Sequence, residues 1–243
     1  MNIRIILNSF KADFRFISRD PMLLMAFLAP FFLILFLRLL IPLLSEYIYA
    51  RTSFQLLDYY PIVAISMVSI IPMLFGMVYA FILLDENDAN ILQVISVTPA
   101  GKRDFLYMRL LIPAFLSFIM VLFTIFLTDP VTGEGWLRSV FISLLLSTQS
   151  SFAFLFIGCI AANKVQGLAM SKLYGIFLVA VPLGLLLHHP WNYLAFFSPL
   201  YWISWAWIIP STGESLMYGL IATVITGGCI VIFFRYFLKK HSG

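Results

Sequence analysis

The residues able to do chemistry are few in this chain, and they do not converge. It contains three histidines, His188, His189 and His241, and two cysteines, Cys159 and Cys229. Adjacent histidines project to different sides of a helix, and no cysteine or acid stands at ligand spacing from His188 and His189, so no metal site is expected. Both cysteines sit inside apolar runs, where free thiols serve as small packing groups. An intramembrane hydrolase needs a serine with a histidine, or paired aspartates, at membrane depth, and the sequence offers neither. Gly101-Lys102 is followed by Arg103 and lacks the upstream glycine, so there is no phosphate-binding loop.

The remaining polar groups are suited to binding rather than reaction. Arg38 stands inside an apolar run, about six residues from its outer end. A charge there is a candidate for an outer gate or substrate contact, or it reaches the interface by snorkelling. Ser143, Ser147, Thr148, Gln149, Ser150 and Ser151 cluster in another apolar run. Ser147, Gln149 and Ser150 are candidates for a translocation path, the alternative being hydrogen bonding within a helix bundle.

Composition decides which solvent these residues meet. The 243-residue chain is 62% hydrophobic and 11% charged, whereas a soluble domain carries about 25% charged residues. So few charges cannot cover so much apolar surface in water, and the chain is expected in the lipid bilayer of the cell membrane. The net charge of +4 is modest and distributed by topology, so no nucleic acid partner is expected. A spanning helix needs about 20 apolar residues. Runs of that kind extend over 22–44, 61–84, 105–127, 136–162, 173–187 (starting near Ala169) and 216–238. The expected fold is therefore all-α and integral to the membrane, with six transmembrane helices in one domain over 1–243. Trp191, Trp202, Trp205 and Trp207 lie in an apolar stretch broken by Pro199 and framed by Pro190 and Pro210. This is read as an extracellular re-entrant hairpin over 190–213, not a seventh span.

Lys and Arg favour the cytoplasmic side. Arg4, Lys11, Arg15, Arg19, Lys102, Arg103, Arg109, Lys164, Lys172, Arg235, Lys239 and Lys240 fall on one side of a six-span chain, twelve of its fifteen basic residues. Both termini are expected in the cytoplasm. Before the first span, Ile3, Ile6, Leu7, Phe10, Phe14 and Ile17 share one helical face while Arg4, Lys11 and Arg15 share another. Residues 1–20 are thus expected to form a basic amphipathic helix suited to the membrane surface, the alternative being a cytoplasmic extension of the first span. Small residues Gly219, Thr223 and Gly227 recur at a spacing suited to close helix contact, within the chain or between copies.

The segment over 85–104 links the second and third spans on the cytoplasmic side. Acids gather at its start, where they suit a helix N-terminus with Asn87 or Asp88 as cap. Ile91, Leu92 and Ile95 then make a short apolar face, and Thr98-Pro99 ends it. A helix of two turns is unstable alone, so it packs either on its own bundle or on a partner. The segment resembles the second-to-third span loop of ABC-2 type transporter permeases through Asp85-Glu86, Ile91-Leu92, Val94-Ile95, Val97-Thr98-Pro99, Lys102-Arg103 and Arg109-Leu110. The likeness extends over the chain, including Asn163-Lys164-Val165-Gln166-Gly167 before the fifth span and the proline-containing hairpin before the sixth. Departures exist: Asp88-Ala89-Asn90 replaces the Gly-Thr common after the acidic pair, and only Pro182 represents the proline pattern of the fifth span.

The resemblance implies a permease subunit of an ATP-binding-cassette exporter that moves a drug, peptide or lipid-like substrate outward by alternating access. It implies that the loop is a coupling helix docking on a separate ATPase subunit, through Asp85, Glu86, Ile91, Leu92, Ile95, Thr98, Pro99 and Arg103. ATP and Mg would then be held by that ATPase, with no cofactor and no catalysis on this chain. It further implies a dimer, with a second copy or a related permease. The competing expectation is an ion-coupled secondary transporter, which needs buried ionisable residues at midplane.

Overall fold

The computed structural model describes residues 13–52, 54–89, 101–132, 135–187 and 190–240, and among these residues there are helices and no strand. Among the described residues, six helices are long and apolar enough to cross a bilayer: Pro21–Thr52, Leu56–Asp88, Phe105–Thr128, Trp136–Ile160, Lys164–Leu186 and Thr212–Lys239. They are called the first to sixth spans below. They alternate in direction, so one end of the bundle carries the loop between the second and third spans and the other carries the Trp-rich stretch.

Helix irregularities follow from proline. In the first span a π-turn over Phe36–Leu40 precedes Pro42, and the Ile41 amide bonds to the carbonyl of Phe36. Proline lacks an amide and its ring crowds the carbonyl four residues back, here that of Arg38, so the ladder widens by one residue. The second span breaks at Ser69 into Tyr60–Val68 and Ile70–Asp88. Pro72 explains this, since it cannot bond to the Val68 carbonyl. The first helix also runs to Thr52, past the expected end at Leu44, and the second to Asp88 rather than Leu84. Hydropathy marks where lipid ends, not where hydrogen bonding ends.

The second and fourth spans are central. Each is 78% buried along its most apolar stretch, against 17–33% for the other four. Their backbones meet at Gly76, where a Cβ would lie 2.5 Å from the Ser150 carbonyl oxygen and 2.7 Å from the Ala153 Cβ. Toward the loop end the core holds Val78, Phe81, Leu84, Phe152 and Tyr174; toward the other end it holds Ile65, Phe75, Leu146, Ile203 and Trp207. Hydrogen bonds from the fourth span tie in its neighbours. Ser151 donates to the Leu110 carbonyl at 3.0 Å and Gln149 Nε2 to the Thr226 hydroxyl at 2.7 Å, while the Tyr174 hydroxyl donates to the Gln149 carbonyl at 3.2 Å. Gly219 in the sixth span abuts Phe141 of the fourth, and Gly227 faces open space.

The Trp-rich stretch is a 3₁₀ turn, Trp191–Ala195, followed by a ten-residue helix, Pro199–Ile208. At 1.5 Å per residue that helix is about 15 Å long, half of what a span needs. It packs on the fifth span where Gly184 meets the Tyr201 ring, with Ser198 donating to the Phe177 carbonyl at 2.9 Å. Of the expected N-terminal amphipathic helix, residues 13–19 are helical with Ile17 buried and Phe14 and Phe16 exposed. Residues 1–12 lie outside the described residues.

Gly76→Ala, which adds only the clashing Cβ, is expected to destabilise the detergent-solubilised chain by about 1–3 kcal/mol. Gly228→Ala, with open space around it, is expected to leave the thermal midpoint unchanged or higher because alanine favours a helix. Thermal unfolding of the two variants compares them directly.

Candidate functional site

Asp85 and Glu86 stand on the last turn of the second span's helix, Ile70–Asp88. Asn87 and Asp88, expected as an N-cap, lie within that last turn instead, which corrects the expectation, while the helix expected over 91–95 falls outside the described residues. At a C-terminal end the helix macrodipole disfavours negative charge, so these acids depend on cations brought by other elements.

Arg109 and Lys164 are those cations. Arg109 projects from the third span, with its side chain 7% exposed; its Nη2 donates to Glu86 and its Nη1 to Asp13 at 2.6 Å. Asp13 is itself buried, on the helix that precedes the first span. The Lys164 ammonium bridges Asp20 at 2.9 Å and Asp85 at 2.8 Å. Two cations thus bind four carboxylates from the N-terminal helix, its junction with the first span, and the end of the second span. The Arg109 guanidinium also lies 5.3 Å from the Phe105 ring centre, and Lys164 5.5 Å from that of Phe16.

Local sequence places each partner. Asp20 caps the first span, its Oδ1 accepting from the Met22 and Leu23 amides, which leaves Oδ2 for Lys164. Asn163 caps the fifth span by accepting from the Gln166 amide at 2.9 Å, and Gln166 Oε1 accepts from the Ala162 amide at 2.9 Å. This reciprocal arrangement resembles a capping box and sets Lys164 at the helix start. Gly167 lets the fifth span close on the second, since a Cβ there would lie 2.8 Å from the Phe81 ring. The hydrogen bond from Lys164, opposed by partial burial and aided by the two amides, holds the Asp20 carboxyl below the usual carboxylate range.

The other sequence-derived candidates lie apart. Ile91, Leu92, Ile95, Thr98 and Pro99 fall outside the described residues, as do His188 and His189. Arg103 is on the helix Gly101–Thr132, without a described side chain. Arg38 is exposed, in the π-turn of the first span. Ser147, Gln149 and Ser150 are at most 5% exposed and face helix contacts, with Ser147 donating to the Leu144 carbonyl and Ser150 to that of Ser147. Among the described residues no cluster of three or more His, Cys, Asp or Glu could hold a metal ion. The sequence reading missed the pairing role of Arg109, counting it toward charge bias and the loop resemblance but giving it no partner. The signal was present: an arginine four residues into the apolar run that begins at Phe105, with an acidic pair at the end of the preceding span.

A family model described as fluoroquinolones export permease protein Rv2686c-like matches residues 13–234. Two relatives from Mycobacterium tuberculosis are similar over most of the chain: fluoroquinolones export permease protein Rv2686c (strain ATCC 25618 / H37Rv) and MT2760 (strain CDC 1551 / Oshkosh). Each is 28% identical over 239 residues, covering 95% of this chain and 92% of its own length. No solved structure matches significantly.

Arg109→Ala leaves buried carboxylates without their cation and is expected to cost about 3–5 kcal/mol. The double variant Arg109→Ala/Glu86→Gln is expected to cost less than the sum of its single changes, because the two share one interaction. A thermal-unfolding double-mutant cycle measures this coupling, and additivity would refute it. Because its carboxyl titrates lower when folded, Asp20 contributes stability that is complete above the unfolded value of about 3.9 and disappears as pH falls through the folded value. Asp20→Asn is therefore expected to flatten that part of the acid-unfolding profile.

Proposed function

The chain belongs to the Rv2686c-like family of export permeases, a multi-pass membrane protein family, and from that premise we propose that it is the permease subunit of an ATP-driven drug exporter. The observation that carries this reading is the charge cluster beside the loop between the second and third spans. A loop that merely joined two helices would not need its entry rooted through Asp85 and Glu86 in the third and fifth spans, and through their cations in the N-terminal helix. A loop that receives force from a partner does.

In this reading the segment with Ile91, Leu92 and Ile95 docks on a separate ATPase subunit, which holds ATP and Mg. The absence of a phosphate-binding loop from the sequence fits that division of labour. ATPase closure displaces the loop, and the ion pairs carry the displacement to the start of the third span through Arg109, to the fifth through Lys164, and to the N-terminal helix through Asp13 and Asp20. The buried pairs of Arg109, short and in low dielectric, are the stiffer links, and the partly exposed pairs of Lys164 the softer ones. The spans then tilt between inward-open and outward-open states around a substrate path formed with a second permease, either another copy or a related chain. The loop end faces the cytoplasm, in keeping with the basic residues on that side. The substrate class follows the relatives' printed names: an amphipathic drug of the fluoroquinolone kind.

Copurification from native membranes tests the docking. Wild-type chain is expected to bring down a nucleotide-binding ATPase, and Ile91→Asp/Leu92→Asp to lose it while remaining folded. Failure of any ATPase to accompany the wild-type chain would instead favour an ion-coupled transporter.

A further inference from the structure

A second charged group, at the opposite end of the bundle, has no part in the coupling just described. Arg138 lies in the first turn of the fourth span, where a cation opposes its own helix dipole. Its Nη2 donates instead to the backbone carbonyls of Ala206, at 3.2 Å, and of Trp207 and Ile209. These carbonyls end the short helix Pro199–Ile208, whose last turn has no intrahelical donors left. The first turn of the sixth span adds a second hold on the same place, with Ser215 donating to the Ala206 carbonyl at 2.6 Å. The rest of the short helix is fixed by apolar contact, with Leu200, Ile203, Ala206 and Trp207 in the core.

Beside the guanidinium lies a hollow of 350 Å³, lined by Gly135, Arg138, Phe141, Thr212 and Ser215 among others. Its lining is mainly apolar, with Leu137, Phe141 and Leu216, but Thr212 and Ser215 offer hydroxyls to the side chain when the carbonyls release it. A directional, charged contact of this kind breaks as a unit, unlike the graded apolar packing around it.

We infer that Arg138 is the latch of an outer gate: while bonded to the carbonyls of residues 206, 207 and 209 it holds the Trp-bearing hairpin closed against the fourth and sixth spans, and its release lets the hairpin lift for substrate to leave. The inference rests on the export reading above for its direction. Arg138 is a positioning residue in this scheme; it acts through the hairpin.

Hydrogen exchange of the full chain in lipid nanodiscs tests the latch without requiring transport. In Arg138→Gln the amides of residues 200–209 are expected to exchange about tenfold faster, as loss of a charged hydrogen-bonded cap implies. Residues 76–84 at the other end should be unchanged. Arg138→Lys should lie between, since an ammonium caps carbonyls as a point charge. If Arg138→Gln does not insert, Ser215→Ala removes one bond to the same helix end and should accelerate the same amides by about two- to threefold. In proteoliposomes without ATP, Arg138→Gln should leak a preloaded fluoroquinolone and Arg138→Lys should retain it, a difference that a purely structural role would not produce. Unchanged exchange at 200–209 in both Arg138→Gln and Ser215→Ala, or acceleration spread evenly over the bundle, overturns the latch. Selective acceleration in a chain that shows no ATP-driven transport would leave the latch standing and remove the export reading instead.

Discussion

A guanidinium buried in a helix bundle must be paired, and Arg109 is the group on which the loop end of this structure depends. Desolvating it without partners would cost more than the packing around it returns. Its two carboxylates, Asp13 and Glu86, come from elements 73 residues apart, so satisfying one side chain fixes the N-terminal helix, the end of the second span and the start of the third together. Lys164 repeats the arrangement for the first, second and fifth spans. The acids at the C-terminal end of the second span would otherwise repel the helix dipole. The loop that leaves that end is thus tied at its root to most of the bundle.

The two ends of the molecule use the same physics in opposite ways. At the loop end, side-chain charges pair with side-chain charges, Arg109 and Asp13 buried and Lys164, Asp20 and Asp85 partly exposed. At the hairpin end, one arginine pairs with backbone carbonyls that a short helix cannot satisfy. Between them the second and fourth spans form an apolar pair held at glycine distance. A rigid centre with charged joints at both ends suits a machine that passes motion from one membrane face to the other, since packed interiors move as bodies rather than deforming.

Much of this was legible in the sequence. Apolar runs located all six spans, though the first continues eight residues past its expected end and the fifth begins five residues before Ala169, because lipid leaves helices as the only way for such segments to satisfy their backbone. Pro199 and its flanking prolines marked the Trp-rich stretch as something other than a span. The acidic pair Asp85-Glu86 and the resemblance around it led to the family that residues 13–234 match. Two things were not legible. Pairing between residues 96 apart, as in Asp13 and Arg109, leaves no periodic trace, so Arg109 looked like a topological charge. The cap role expected of Asn87 or Asp88 was the other, because acids are as common at the entry of a cytoplasmic helix as at the exit of a span, and only the continuity of the backbone through Asp88 separates the two.

The most direct test of the account is the energy source of transport. Inverted membrane vesicles carrying the chain and its copurifying partners are supplied with ATP in the external medium, and uptake of a fluoroquinolone is followed with vanadate or with a protonophore. The account predicts uptake that requires ATP hydrolysis, is abolished by vanadate and survives collapse of the proton gradient. Uptake that persists in vanadate and disappears with the protonophore would contradict it, and would make the chain an ion-coupled transporter.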